Sequence, residues 1–209
     1  MLLHHISGLY YLKGYNPMFT TLYEVADVLS GYPFRGAITA EEQGDVHVVQ
    51  VRDAKPTGQI SINGMVKTTL PGKKNPNWLR SGDVLFIAKG VKHFSALVDN
   101  LPSKTVCTPH FFMIRIKPEY QDKVKPEFIC WQLNQIPAQR YFSITAEGSL
   151  HLIIRRQVLE NVPIKLLDIN EQKLISNMHN CAIEKQTKLQ QLIECDKKEQ
   201  DAIALNLLN

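Results

Sequence analysis

The chain has 209 residues, 44% hydrophobic and 21% charged, values close to those of ordinary globular domains; they exclude a disordered or fibrous chain and leave room for one full domain plus an appendage. Twenty-four Lys and Arg against 20 Asp and Glu give a net charge of +4, which suits an anionic partner yet falls short of the strongly basic range that would demand one. Cys107, Cys130, Cys181 and Cys195 are scattered without a C-x-x-C pair or a His cluster, so a zinc site is excluded and reduced thiols are expected; no apolar run approaches the roughly 18 residues of a membrane span and the N-terminus lacks a signal-like pattern, so a cytoplasmic chain is expected.

Residues 1–17 (MLLHHISGLYYLKGYNP) precede a second methionine, Met18, and do not join the patterns that follow; they read as an extended start, a cloning remnant or a loose arm. From Phe19, Leu22, Val25, Ala26 and Leu29 recur at helical spacing and Ser30-Gly31 supplies a stop, which predicts a short amphipathic helix or a strand-helix edge. Val46 to Val51 is dense in β-branched residues and predicts a buried strand. Further strands are expected at Gln59 to Ile62, Asp83 to Ala88 and Phe111 to Ile116, with the Pro-, Gly-, Asn- and Lys-rich stretch Pro71 to Asn77 as a loop. Pro126 opens a helix carrying Phe128, Ile129, Trp131 and Leu133, because the first helical turn has no intrahelical partner for the missing N–H; Pro137 interrupts it.

After HLII (151–154) and VPIKLL (162–167) the chain loses all Pro and Gly, and Asp168 to the end predicts one long helix. Asp168 with Glu171 three residues on resembles a capping box, in which carboxylates accept the N–H groups that the first turn leaves unpaired. Ile175, Met178, Ala182, Leu189, Leu192 and Ile203 fit a heptad seam, although Lys185, Asp196 and Glu199 occupy seam positions and break it. Forty helical residues span about 60 Å, farther than one small domain covers, so a partner helix is expected; packing on the chain's own domain is the plainer alternative. No Gly-rich phosphate loop, nucleophile elbow or paired metal-ligand spacing occurs. No catalytic residue, metal or cofactor is therefore expected.

Three segments in fixed order carry a family likeness. VHVVQVRDA (46–54) is followed by LRSGDVLFIAKG (79–90); FFMIRIKPE (111–119) is followed by KPEFICWQLN (125–134) and a turn toward Gly148; LENVPIKLLDINEQKLI (159–175) closes the series, with its I-P-I-like stretch and N-E-Q as marks. From Thr20 onward the chain resembles the specificity subunits of type I restriction-modification systems, and the last segment resembles the junction between their target-recognition domain and a spacer helix. Leu167 and Asp168 stand where that family usually has prolines, a local departure that leaves the cap intact.

The resemblance implies an α+β fold: a mixed β-sheet target-recognition domain with short helices, followed by one long coiled-coil-type α-helix. It divides the chain into an extension (1–17), a DNA-binding domain (18–166) and a spacer or dimerisation helix (167–209), whose partner face carries the seam residues above. Full-length members hold two such domains and two spacers that pair antiparallel and dock methyltransferase subunits. A half-subunit is thus expected to form a homodimer, to read a bipartite palindrome on double-stranded DNA, and to direct a partner adenine methyltransferase, with or without a restriction subunit, while performing no chemistry itself. An adaptor of such a complex that has lost DNA recognition is the alternative.

Specificity on DNA comes from side chains reaching base edges, whereas phosphate contacts fix register, so the loops are the places to search. SGYPFRG (30–36) offers Tyr32, Phe34 and Arg35; GKKNPN (72–77) offers Lys73, Lys74 and Asn75; AKGVKH (88–93) offers Lys89, Lys92 and His93; EGSLHLIIRR (147–156) offers Ser149, His151 and Arg155. Each has a plain counterpart. Phe34 equally fits a core, Arg35 and the Lys pair fit a solvated surface, His151 fits a structural role beside an apolar run, and Arg155 with Arg156 fits the start of the following helix.

Overall fold

The computed structural model describes residues 18–34, 36–72, 75–148 and 152–208. The chain enters on β1 (Met18–Thr21), takes a single helical turn α1 (Leu22–Val25) and continues as β2 (Ala26–Ser30). The helical spacing read from Phe19 is thus two patterns end to end. Leu22 and Val25 are buried by the turn, and Ala26 and Val28 by strand alternation, with Asp27 exposed between them.

Short strands follow: β3 (Val46–Val49), β4 (Val66–Thr68), β5 (Val84–Ile87), β6 (Lys89–Gly90), β7 (Ser95–Leu97), β8 (Thr105–Cys107) and β9 (Phe111–Ile116). Gln59–Ile62, expected as a strand, forms one antiparallel bridge between Ala54 and Ile60. Turns on either side, with Gly58 at φ +86° and Gly64 at φ +90°, leave no room for a longer ladder. After β9 come α2 (Pro126–Leu133), α3 (Ile136–Thr145), β10 (Leu152–Ile153), α4 (Arg156–Glu160), β11 (Pro163–Leu166) and the long α5 (Ile169–Leu208). Pro137 falls in the first turn of α3, so the interruption read at that position is the junction of two helices.

The central sheet has the order β2-β9-β5-β7, antiparallel throughout. All four side chains of β5 are buried, because the sheet is covered on both faces, and a strand buried on both faces reads as an unbroken apolar run. Val84 and Phe86, with Val28, Ile114 and Ile116, face the helices and meet Ile129, Leu133 and Phe142. Leu85 and Ile87, with Phe111 and Met113, face the other way onto Val49, Ala54 and Cys107. A second sheet, β4-β3-β8, pairs β3 with β4 antiparallel and with β8 parallel. Two-stranded ribbons β1-β11 and β6-β10 complete the fold.

Side-chain amides finish edges that strands leave open. Asn134 accepts from the Ser95 N–H (2.7 Å) and donates to the Ser95 carbonyl (2.9 Å). Gln132 does the same to both backbone groups of Lys165, at 3.0 Å each. One primary amide presents a donor and an acceptor as a peptide group does, so it can stand in for a missing neighbour strand.

The N-E-Q stretch anchors α5. Glu171 accepts from the Asp168 N–H (3.2 Å) and Asp168 accepts from the Asn170 N–H (2.8 Å), the capping arrangement expected from their spacing. Gln172 is wholly buried. It accepts from the Lys125 N–H and donates to the carbonyls of Lys123 and Leu167, tying the helix base to the start of α2. Ser176 and Ile183 continue this docked face; every described residue from 184 onward is exposed. Among the described residues, no helix is long and apolar enough to cross a membrane.

Candidate nucleic-acid interface

Strand direction gathers the candidate loops. Because β2 and β5 both run antiparallel to β9, they end together where β9 begins. Residues 31–36 leave that end after β2, residues 88–94 leave it after β5, and the turn 108–110 enters it before β9. The three are stitched through backbone: Gly31 N–H donates to the Phe111 carbonyl (3.3 Å), Tyr32 N–H to the Cys107 carbonyl (2.8 Å), and the N–H groups of Ala88 and Lys89 to the His110 carbonyl (2.8 and 3.2 Å). A Cβ on Gly31 would lie 2.1 Å from the Thr108 oxygen, so only glycine permits this approach.

The GKKNPN loop joins the same end. Tyr32 is buried, and its hydroxyl donates to the Pro71 carbonyl at 2.6 Å. Its ring meets Phe34 edge-on at 5.1 Å, and both pack with Val46, Val48 and Val106. Asn77 donates to the Ser30 carbonyl at 3.2 Å. The two aromatics thus serve as the clasp between loops: Tyr32 turns its polar tip to protein, and Phe34 is half-buried. Asn75 is exposed. Arg35, Lys73 and Lys74 lie outside the described residues.

The second candidate group is brought together by the β6-β10 ribbon, which pairs Gly90 with Leu152 and Lys89 with Ile153. Lys89 and Lys92 are exposed, and Val91 between them is 83% exposed. His93 is buried, with Nδ1 2.9 Å from the Ile87 carbonyl and its ring stacked on Phe86; its Nε2 has no partner among the described residues. The Nδ1–H form therefore holds the loop in place. Arg155 is exposed and pairs with Glu147 at 2.6 Å. Ser149 and His151 lie outside the described residues.

Reading the sequence for charged loops missed His110. It is exposed on the turn before β9, and the signal for it was Thr108-Pro109 immediately ahead of a strong strand. The opposite end of the sheet is locked by a buried carboxylate: Asp83 accepts from Arg115 Nε (2.8 Å) and Nη2 (2.7 Å) and from the Arg80 N–H (2.8 Å). That pairing raises the Arg115 pKa above its ordinary value. Among the described residues, no group of three His, Cys, Asp or Glu could hold a metal ion. What the gathered end offers is exposed ammonium groups, an imidazole and loop amides, the equipment of a polyanion-facing surface.

No protein-family model matches the chain, and no curated protein matches its sequence. Solved structures do match its fold. A type I restriction-modification S subunit from M. genitalium aligns with TM-score 0.59 at 18% identity over 91% of this chain and 45% of its own. The HsdS subunit from Thermoanaerobacter tengcongensis aligns with TM-score 0.61 at 19% identity over 94% and 49%. A chain from a study of complex assembly and conformational transition in a type I R-M system aligns with TM-score 0.65 at 17% identity over 92% and 48%. This chain spans about half the length of each. Its α+β architecture, ending in the long α5, is therefore the fold of type I S subunits, present here over roughly half their length.

Proposed function

We propose that the chain is a non-catalytic specificity subunit that reads double-stranded DNA and directs a partner adenine methyltransferase, with or without a restriction subunit, to a bipartite palindromic site as a homodimer. The observation that carries this reading is the convergence of four separately identified loops on one end of the central sheet, within a fold shared with S subunits. Exposed Lys89 and Lys92, together with Lys73 and Lys74, are suited to phosphates. Arg35 and Asn75 have the bidentate chemistry that distinguishes guanine and adenine. Tyr32, Phe34 and His93 act as positioning residues that hold these loops. The unpaired heptad face of α5 supplies the contact between copies and to the methyltransferase.

The test is a DNA-binding titration across a sequence panel and a range of salt, paired with methylation-site sequencing after mixing with a type I methyltransferase subunit from the same source. Reversing charge at Lys73 and Lys74 should weaken binding to every sequence and flatten the salt dependence by a slope of about 2, roughly 0.9 per lost phosphate contact. Arg35→Ala should instead change preference among sequences. If the two variants behave alike across the panel, the assignment of roles fails. Intact methyltransferase binding with no salt-sensitive DNA binding would favour an adaptor that no longer reads DNA.

A further inference from the structure

Along α5 the docked face and the free face are distinct. Gln172, Ser176 and Ile183 are buried against the domain, whereas Met178, Ala182, Leu189, Leu192 and Ile203 are exposed, rotated by about 140° at 100° per residue. The apolar stripe is thus open from Met178 outward even while the helix is seated on its own domain. Lys185, Asp196 and Glu199 lie in the same stripe. Among the described residues, none of the three makes an ion pair within the chain.

Those charges decide how two such stripes can meet. In a parallel, in-register pair each would face its own twin: Lys185 against Lys185, Asp196 against Asp196, Glu199 against Glu199, an arrangement costly in a seam. Antiparallel registers are spaced seven residues apart, and one of them turns the defects into complements. It sets Lys185 opposite the partner's Asp196, twice by symmetry, with Leu189 facing the partner's Leu192 and Met178 facing the partner's Ile203. Ala182 then faces the partner's Glu199, leaving space for that carboxylate to reach water, and Ile175 faces the partner's Asn206. Sliding one heptad either way sets Lys185 and Asp196 against Ile203 and Leu192, or against Leu189 and Met178, and buries charge on hydrocarbon.

We infer that two copies of α5, paired antiparallel as the resemblance already implies, take the register that sets Lys185 against the partner's Asp196, and that this ion pair selects it. The inference rests on the dimer reading above and specifies its partner residues. Overlap runs from Ile175 to Asn206, about 48 Å of helix. Ile193, 61% exposed beside the seam, widens the apolar contact.

The test uses the full chain in sedimentation equilibrium, with circular dichroism to check that each variant is folded. Lys185→Glu and Asp196→Lys should each raise the dimer dissociation constant ~100-fold by placing like charges face to face. The double variant should return it to within about threefold of the parent. As an independent readout, in a Cys181→Ser, Cys195→Ser background, a Leu189→Cys chain mixed with a Leu192→Cys chain should form a disulfide between copies on oxidation, whereas neither should do so efficiently by itself. A dimeric parent with no rescue and no 189–192 cross-link overturns the register and leaves the dimer reading intact. A parent that stays monomeric overturns both.

Discussion

Replacing Gln172 with leucine tests whether the base of α5 is held by hydrogen bonds rather than by packing. The side chain is fully buried and makes three bonds, at 2.9 Å to the Lys125 N–H and 2.8 Å each to the carbonyls of Lys123 and Leu167. Leucine fills a similar volume, so little of the cost comes from a cavity. Lys123 is exposed, and its carbonyl can turn to water; the Lys125 N–H and the Leu167 carbonyl are then stranded, at about 1–3 kcal/mol each. Burying an extra apolar side chain returns about 1 kcal/mol. The expected net loss is about 1–5 kcal/mol, a large share of the roughly 5–15 kcal/mol that holds a domain folded. Urea unfolding followed by circular dichroism measures it, with Gln190→Leu on the exposed part of the helix as the control, expected within about 0.5 kcal/mol of the parent. Protease cleavage within residues 169–183 should become faster in the Gln172 variant. A loss no greater than that of the control would refute the anchoring role.

Two further outcomes follow from buried groups. Asp83→Asn removes the charge that a forked Arg115 pairs with, and because the Arg115 side chain is still 24% exposed the loss should be about 2–3 kcal/mol, below the usual range for a wholly buried pair; urea midpoints equal to the parent's would show that the lock at that end of the sheet is dispensable. Burial pushes the thiols of Cys107 and Cys130 from 9.0 up to about 12. The unfolded chain therefore gives up those protons first as pH rises. Stability should be complete below about pH 9 and fall toward pH 12 by about 1 kcal/mol per pH unit for each thiol. Replacing both with alanine should flatten that fall in urea midpoints taken across the range, and an unchanged slope would sink the assignment. Native-state labelling should modify the exposed Cys181 and Cys195 and spare the other two.

The elements legible in the sequence were those whose own residues suffice to define them. β3, β5 and β9 are β-branched or apolar runs buried on both sides; α2 announces itself with Pro126, and α5 with its cap and the loss of Pro and Gly. β7 and β8 were not legible, since Ser95–Leu97 and Thr105–Cys107 are too short for alternation to register and exist because a neighbour or the Asn134 amide completes them. Gln59–Ile62 misled for the opposite reason: isoleucines at strand spacing sit between glycine turns. For the candidate interface, composition marked the loops. Their meeting at one end of the sheet depends on strand direction and on the bond from Tyr32 to Pro71, which joins residues 39 apart and leaves no local trace. That bond uses the Tyr32 hydroxyl to hold a loop, and a separate one, from Nδ1 to the Ile87 carbonyl, does the same for His93.

Past Ile183 every described residue of the long helix is exposed, so the 25 residues from 184 to Leu208 project as a rod about 37 Å long. A tilt of roughly 10° at the Gln172 anchorage, about 54 Å from Leu208, would carry the far end about 9 Å, nearly the rise of three base pairs. In the proposed dimer on DNA, stiffness at that fulcrum, to which the Gln172 amide contributes, would fix how narrowly two joined copies measure the distance between their half-sites.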